Sequence, residues 1–340
     1  MLLKQTRPAG IAALIVATSG WGSMFLVSKS ALHEVDPFWF TLIRYTVAAL
    51  LFAALLAPRG AAPWQKLRAS AAGLGLRGLL GFGFFSVMLL EGLARSVPSH
   101  GAVIIATAPI TTQLLRWALD GVRPARRTLA TMGLALAGVV VVSGVLGHGG
   151  VAASTWQGDA IALLGTLGWI GYTRGAARYA ALDPVEYSAL TVIASWPVLL
   201  VATLAASALG LAQVPQAEHL QVAWPALLYV GVVSSSVSVL AFNVGVRALG
   251  ALTATAFLNF VPVSALLLSA LLGKPVTAAE LIGTAMVVAA LLIHTWTSRP
   301  TVAPARPAPA PARPPRNGYG AVPGSAAARR RAPSSCGATS

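Results

Sequence analysis

The side chains able to do chemistry in this chain are the few ionisable and polar ones that interrupt long apolar runs. Lys29 closes the first run, Arg44 sits roughly two turns inside the second, and Glu91 lies near the end of the third. A charge in an apolar span is costly unless it faces a cavity or a partner, so each is a candidate functional group. Lys29 and Arg44 together can receive a carboxylate or another anionic group from a solute or lipid. The alternative is that Lys29 snorkels to an interface and Arg44 pairs with a helix end. Glu91 is read as the single carboxylate within a span. Its protonation can alternate, as proton coupling requires, while Arg95 four residues on shares its helix face and offers an ordinary partner.

Uncharged groups extend the candidate set. Trp21, Trp169 and Tyr172 supply aromatic walls suited to an apolar or amphipathic ligand, and Asn259 can hydrogen-bond within a bundle or to a solute. Pro109 and Pro262 each remove a backbone hydrogen bond inside an apolar run, where they are candidate helix kinks beside a cavity. Other chemistries are not represented. The lone cysteine, Cys336, excludes an intramolecular disulfide framework or a CxxC site, and the five histidines have no metal-ligand spacing. With no Ser-His-Asp arrangement, phosphate loop or cofactor motif, the expectation is a chain that is not an enzyme and needs neither metal nor cofactor.

The elements that must position these groups follow from composition. At 56% hydrophobic and 10% charged over 340 residues, the chain cannot cover a water-soluble surface, and its apolar runs suit the thickness of a bilayer. Ten spans are expected, at about Ile11–Ser28, Phe38–Ala57, Ala71–Leu93, Ser99–Leu119, Leu129–Leu146, Gly158–Arg178, Val185–Leu209, Trp224–Ala248, Leu252–Leu272 and Ala278–Trp296. The net charge of +15 gathers in alternate loops, so it reflects membrane topology and not nucleic-acid binding.

The halves are duplicated. Gly92 precedes Pro109 by the interval that separates Gly245 from Pro262, and Gly20-Trp21 recurs as Gly168-Trp169, with Pro37 and Pro184 following. Five spans per copy is an odd number, so the second copy enters the membrane from the opposite side. The expectation is an all-α membrane protein with ten transmembrane helices in two inverted five-helix repeats. Residues 1–10 form a cytoplasmic N-terminus, 11–147 the first repeat, 148–157 an outer connecting loop and 158–297 the second repeat. Residues 298–340 form a Pro/Ala/Arg-rich cytoplasmic tail expected to be disordered. Arg59, Lys66, Arg68, Arg123, Arg126, Arg127, Arg174, Arg178 and Arg247 fall on the side of the termini, which places both termini in the cytoplasm and the chain in the inner or plasma membrane.

Several of these stretches resemble a known family. WGSMFLVSKSAL with Pro37 and Leu42-Ile43-Arg44-Tyr45, Gly92-Leu93 with Pro109, Gly245-Val246 with Pro262, and Leu134-Ala135-Leu136-Ala137-Gly138 resemble the EamA-type branch of the drug/metabolite transporter superfamily. The resemblance spans about Ile11 to Trp296. Val122 and Lys274 stand where that family usually carries a glutamate. It implies a carrier of a small organic solute (amino acid, metabolite or drug-like compound) working by alternating access, with export favoured over import. The alternative is a non-transporting membrane subunit or lipid-handling protein. The expected partners are the solute and the lipid bilayer, no nucleic acid is expected, and the sequence leaves a homodimer open.

Overall fold

The computed structural model describes residues 6–95, 98–142, 156–273 and 275–297, without the side chains of 25, 29, 30, 93, 94, 98–103, 106, 142, 156, 295 and 297. The expected tail, Lys274, Cys336 and most of the expected connecting loop lie outside the described residues. Every element among the described residues is helical.

The sequence sets the helix starts. Helix α1 (Arg7–Glu34) opens on Thr6, whose hydroxyl accepts from the Ala9 N–H. Helix α2 (Pro37–Leu56) opens on Asp36, which accepts from the Phe38 N–H at 2.8 Å. Pro37 fills the first turn, where a missing donor costs nothing. Further along, α8 (Pro184–Ala208) opens on the same Asp-Pro pair. Asp183 accepts from the Glu186 N–H at 2.9 Å while the Glu186 side chain accepts from the Asp183 N–H at 3.2 Å, a reciprocal capping box.

Two helices widen at matching places. Helix α3 (Ala62–Gly78) starts about two and a half turns before the expected span and breaks its helical geometry at Ser70 (φ −135°, ψ 21°). It then passes through a π-helical stretch, Leu79–Phe84, into α4 (Phe85–Ala94). In the second half α9 (Ala217–Tyr229) passes through Val230–Val237, also π-helical, into α10 (Ser238–Leu249). Each π-helical stretch shifts the faces of the helix around it, a feature frequent beside functional sites.

The two interior prolines behave differently. Between the π-helical stretches lie α5 (Pro98–Asp120), α6 (Arg126–Val142) and α7 (Trp156–Gly175). Helix α5 continues through Pro109, so no break accompanies the expected kink there. The expected ninth span is divided into α11 (Ala251–Ala256), a 3-10 turn at Phe257–Asn259 and α12 (Phe260–Leu271). Pro262 has no N–H to bond the Leu258 carbonyl, and the chain tightens one turn before it. Gly250, at φ 85°, makes the turn from α10 into α11. The last helix is α13 (Ala278–Thr297).

Six helical stretches among the described residues are long and apolar enough to cross a membrane: Arg7–Ser28, Pro37–Arg59, Ala62–Gly92, Pro184–Ala208, Ala217–Leu249 and Ala251–Leu271. The other four expected spans coincide with α5, α6, α7 and α13, which do not meet that measure over the described residues. Large apolar side chains such as Leu50, Val201, Leu271 and Trp296 are exposed on the outside, as lipid contact requires and water does not favour.

Packing crosses between the halves. Helix α1 packs on α10 and α12, α7 on α4, α2 and α3 on α8, and α6 on α13. Glycines permit the approach. A Cβ at Gly78 would stand 2.0 Å from the Thr191 carbonyl oxygen of α8, and one at Gly92 would stand 2.6 Å from the Gly158 oxygen of α7. At the end of the bundle where α2 finishes, ion pairs join first-half to second-half residues. Arg59 Nη1 meets Asp183 at 2.6 Å, Lys66 Nζ meets Glu186 at 2.6 Å, and Arg174 grips Asp120 through both Nη atoms at 2.8 Å. At the end where α2 begins, His219 Nδ1 lies 2.5 Å from Glu34.

Candidate functional site

The duplicated glycine-tryptophan pairs meet. Gly20 and Gly168 carry no side chain where α10 and the first π-helical stretch press in: an added Cβ would lie 2.1 Å from Ser238 Oγ and 2.5 Å from the Leu80 carbonyl, respectively. The neighbouring Trp21 and Trp169 therefore come together edge to face, with ring centroids 5.2 Å apart and planes at 88°. Phe242 of α10 packs on both rings, and Phe85 on Trp169. Trp21 Nε1–H donates to the Ser234 carbonyl at 3.0 Å, within the second π-helical stretch.

Beside this pair lies a cavity of about 350 Å3, in the range of small-ligand sites. Its walls come from both halves of the chain. Trp21, Met24, Ser28 and Leu32 of α1, Phe40, Arg44 and Tyr45 of α2, and Phe85, Ser86, Leu89 and Leu90 of α4 form one side. Ile105 and Ala108 of α5, Thr166 and Trp169 of α7, Ser234, Val239, Leu258 and Val261 complete it. The wall on α1 and α2 runs from the level of Trp21 towards the end marked by Glu34 and Asp36, away from the three ion pairs.

Arg44 is the one charged side chain described on the wall. It is only 6% exposed, and none of the chain's acidic residues pairs with it. Nη2 donates to Ser86 Oγ at 2.6 Å and Nη1 to Met24 Sδ at 3.2 Å, while the Nε–H is without a partner. The Tyr45 ring centroid lies 4.7 Å from the guanidinium carbon, a cation–π contact that lowers the cost of burial without neutralising the charge. Trp169 Nε1–H and Ser28 Oγ, both on the wall, are also unpartnered. The cavity thus combines an apolar, aromatic body with unfilled hydrogen-bond donors and an uncompensated cation.

The remaining expected residues fall elsewhere. Tyr172 is fully buried behind the wall, its ring 5.4 Å from Trp169 and 5.3 Å from Tyr187, and its hydroxyl accepts from Asn243 Nδ2 at 2.5 Å. Asn259 is 1% exposed on the 3-10 turn next to Leu258; its Oδ1 has no partner, and it does not line the cavity. Pro109 and Pro262 follow the wall residues Ala108 and Val261. Lys29 lies on α1 next to Ser28, with its side chain outside the described residues. Glu91 follows Leu90 but turns to Arg95 Nη1, so the ion pair favours the ordinary partner over an open titratable group.

Two features escaped the sequence reading. Glu186 corrects the view of Glu91 as the single carboxylate within a span: it falls inside the expected Val185–Leu209 as well as the first turn of α8, where it is 6% exposed against Lys66. Ser86, the acceptor for Arg44, was also missed. It is the single hydroxyl between Gly81 and Gly92, an isolated polar position that was a usable signal.

Comparison with known proteins extends over the same region. A profile of the EamA-like transporter family matches residues 8–144 and 156–296. The uncharacterised transporter YrdR of Bacillus subtilis is 27% identical, over 84% of this chain and 90% of its own length. The probable terminal-alkyne amino-acid exporter of Streptantibioticus cattleyicolor is 26% identical over 83% and 91%, respectively. The uncharacterised inner membrane transporter YedA of Escherichia coli (strain K12) is 26% identical over 89% and 97%. A solved crystal structure, 20% identical, shares the fold with a TM-score of 0.69 over 86% of this chain and 99% of that one. With both halves matched and their tryptophans meeting at one cavity, this chain belongs to the EamA-like transporter family and is a multi-pass membrane protein.

Proposed function

We propose that the chain exports a small organic solute, an amino acid, metabolite or drug-like compound, across the cell membrane by alternating access, with the cavity beside Trp21 and Trp169 as the solute site. The observation that carries this reading is a wall built by both halves around the unpaired guanidinium of Arg44. A site between repeats is where rocking of one half against the other would expose the solute to each side in turn.

In this reading all ten helical rods cross the bilayer as two inverted repeats, and the end bearing Arg59, Lys66, Arg174 and Arg247 faces the cytoplasm together with both termini. The ion pairs Arg59–Asp183, Lys66–Glu186 and Arg174–Asp120 then close the cytoplasmic side, while the cavity extends towards the outside. This supports an outward-directed conformation. The name of the Streptantibioticus cattleyicolor relative supports export.

Efflux from preloaded cells tests the reading. A panel of labelled amino acids and carboxylic acids should leave expressing cells faster than control cells, and Arg44→Ala should abolish that difference at unchanged membrane insertion. Normal efflux by the variant would remove Arg44 from the transport route.

A further inference from the structure

The charges on the cavity wall narrow the class of solute. We infer that the site selects organic monoanions, apolar carboxylic acids above all, and discriminates against zwitterionic and cationic compounds. This rests on the reading of the cavity as the solute site.

The wall is positive. Arg44 contributes a positive charge, and none of the nine aspartates and glutamates of the chain lines the cavity. Arg44 uses Nη1 and Nη2 on the neutral acceptors Met24 and Ser86, its Nε–H is unpartnered, and so is the Trp169 indole N–H. A planar carboxylate satisfies a guanidinium by parallel N–H···O bonds and neutralises it in the same step. The remaining surface, including Phe85, Leu89 and Val261, suits an apolar body.

An α-amino acid fits this wall poorly. Its ammonium is two bonds from its carboxylate, so seating the carboxylate on Arg44 brings the ammonium within roughly 5 Å of the guanidinium, where no acidic side chain offsets the repulsion. A cationic compound meets the same repulsion without any compensating carboxylate. A neutral amide keeps the shape of the acid but leaves the guanidinium charge unpaired.

Four ligands sharing one skeleton separate these cases: 3-phenylpropanoate, 3-phenylpropanamide, phenylalanine and 3-phenylpropylamine. Their affinities for the purified full chain in detergent can be read from the shift in thermal midpoint with concentration. The expected result is that the carboxylate binds at least about 10-fold more tightly than the amide or phenylalanine, with the amine weakest. In Arg44→Gln that advantage should fall below about 3-fold, and Arg44→Lys should retain part of it. Phenylalanine or the amine binding as tightly as the carboxylate overturns the charge class and leaves the cavity as a solute site. An undiminished carboxylate advantage in Arg44→Gln overturns the assignment to Arg44. No shift from any of the four at millimolar concentration overturns the solute-site reading together with the class. The ranking in the unaltered protein decides the class even where a variant fails to fold.

Discussion

Replacing Arg44 by methionine should leave the empty protein as stable as before, or more stable, while abolishing transport. Removing a guanidinium from water costs several kcal/mol after relaxation. In this structure the cost is offset by the hydrogen bond to Ser86 at 2.6 Å, worth about 1.5–3 kcal/mol for a charged donor, and by the Tyr45 face at 4.7 Å, worth roughly 1–2 kcal/mol. No carboxylate supplies the rest. Methionine fills a similar volume and gives up the penalty together with both contacts, so the variant should change stability by roughly 0 to 2 kcal/mol in its favour. The assay is the thermal midpoint of the ligand-free protein in detergent, run beside solute efflux. At about 2–4 °C per kcal/mol for a chain of this order, the midpoint should hold or rise by a few degrees. A fall of more than about 5 °C would refute the reasoning, because it would mean that Arg44 stabilises the fold through its own contacts and is not held there for a ligand.

Other perturbations test the frame around the site. Gly78→Ala places a methyl group 2.0 Å from the Thr191 carbonyl and must push α3 off α8; a loss of about 1–3 kcal/mol is expected, whereas Gly133→Ala, with nothing within 4 Å, should cost nothing in the same thermal assay. Asp183 caps α8 outside the membrane-spanning segments. Burial pushes its carboxyl up, but the Glu186 N–H and the Arg59 guanidinium outweigh that and hold it below the ordinary carboxylate range. Its stabilisation is therefore present above the unfolded value of about 4 and is lost as pH falls through the lowered folded value. Asp183→Ala should cost about 1 kcal/mol at neutral pH, and the gap to the unaltered protein should close in strong acid. A cysteine at Glu218, next to the His219–Glu34 contact, should react with an impermeant thiol reagent from outside intact cells; reaction only after permeabilisation would reverse the proposed orientation.

Much of the architecture was legible in the chain. The resemblance to the EamA-type branch was borne out, because a family signature that depends on order and duplication survives at low identity. The matching prolines Pro37 and Pro184, noted as part of the duplication, each sit in the first turn of a helix capped by the preceding aspartate. The earlier start of α3 was not legible, because Ala62–Ala69 is too polar to register as a span and is tied to α8 by the Lys66–Glu186 pair. The division of the ninth span at Phe257–Asn259 was signalled only by Pro262, while Pro109, the same residue type at the matching place, sits in an unbroken α5. Proline removes a hydrogen bond in both; whether the helix yields depends on what packs around it.

The sequence by itself determined that this chain is a duplicated helical membrane protein whose rare buried charge and paired tryptophans are its candidate chemistry. Residue type and spacing carry that information, because apolar runs, caps and repeats are properties of neighbours along the chain. Only the tertiary structure decided that Trp21 and Trp169 touch on the wall of one cavity while Tyr172 and Asn259 stand behind it, and that Glu186, not Glu91, is the buried carboxylate. It also decided that Arg44 finds a serine and not an acid. These depend on which faces of distant helices meet, and that is set by close packing across the halves, for which a periodic apolar pattern offers many equivalent solutions.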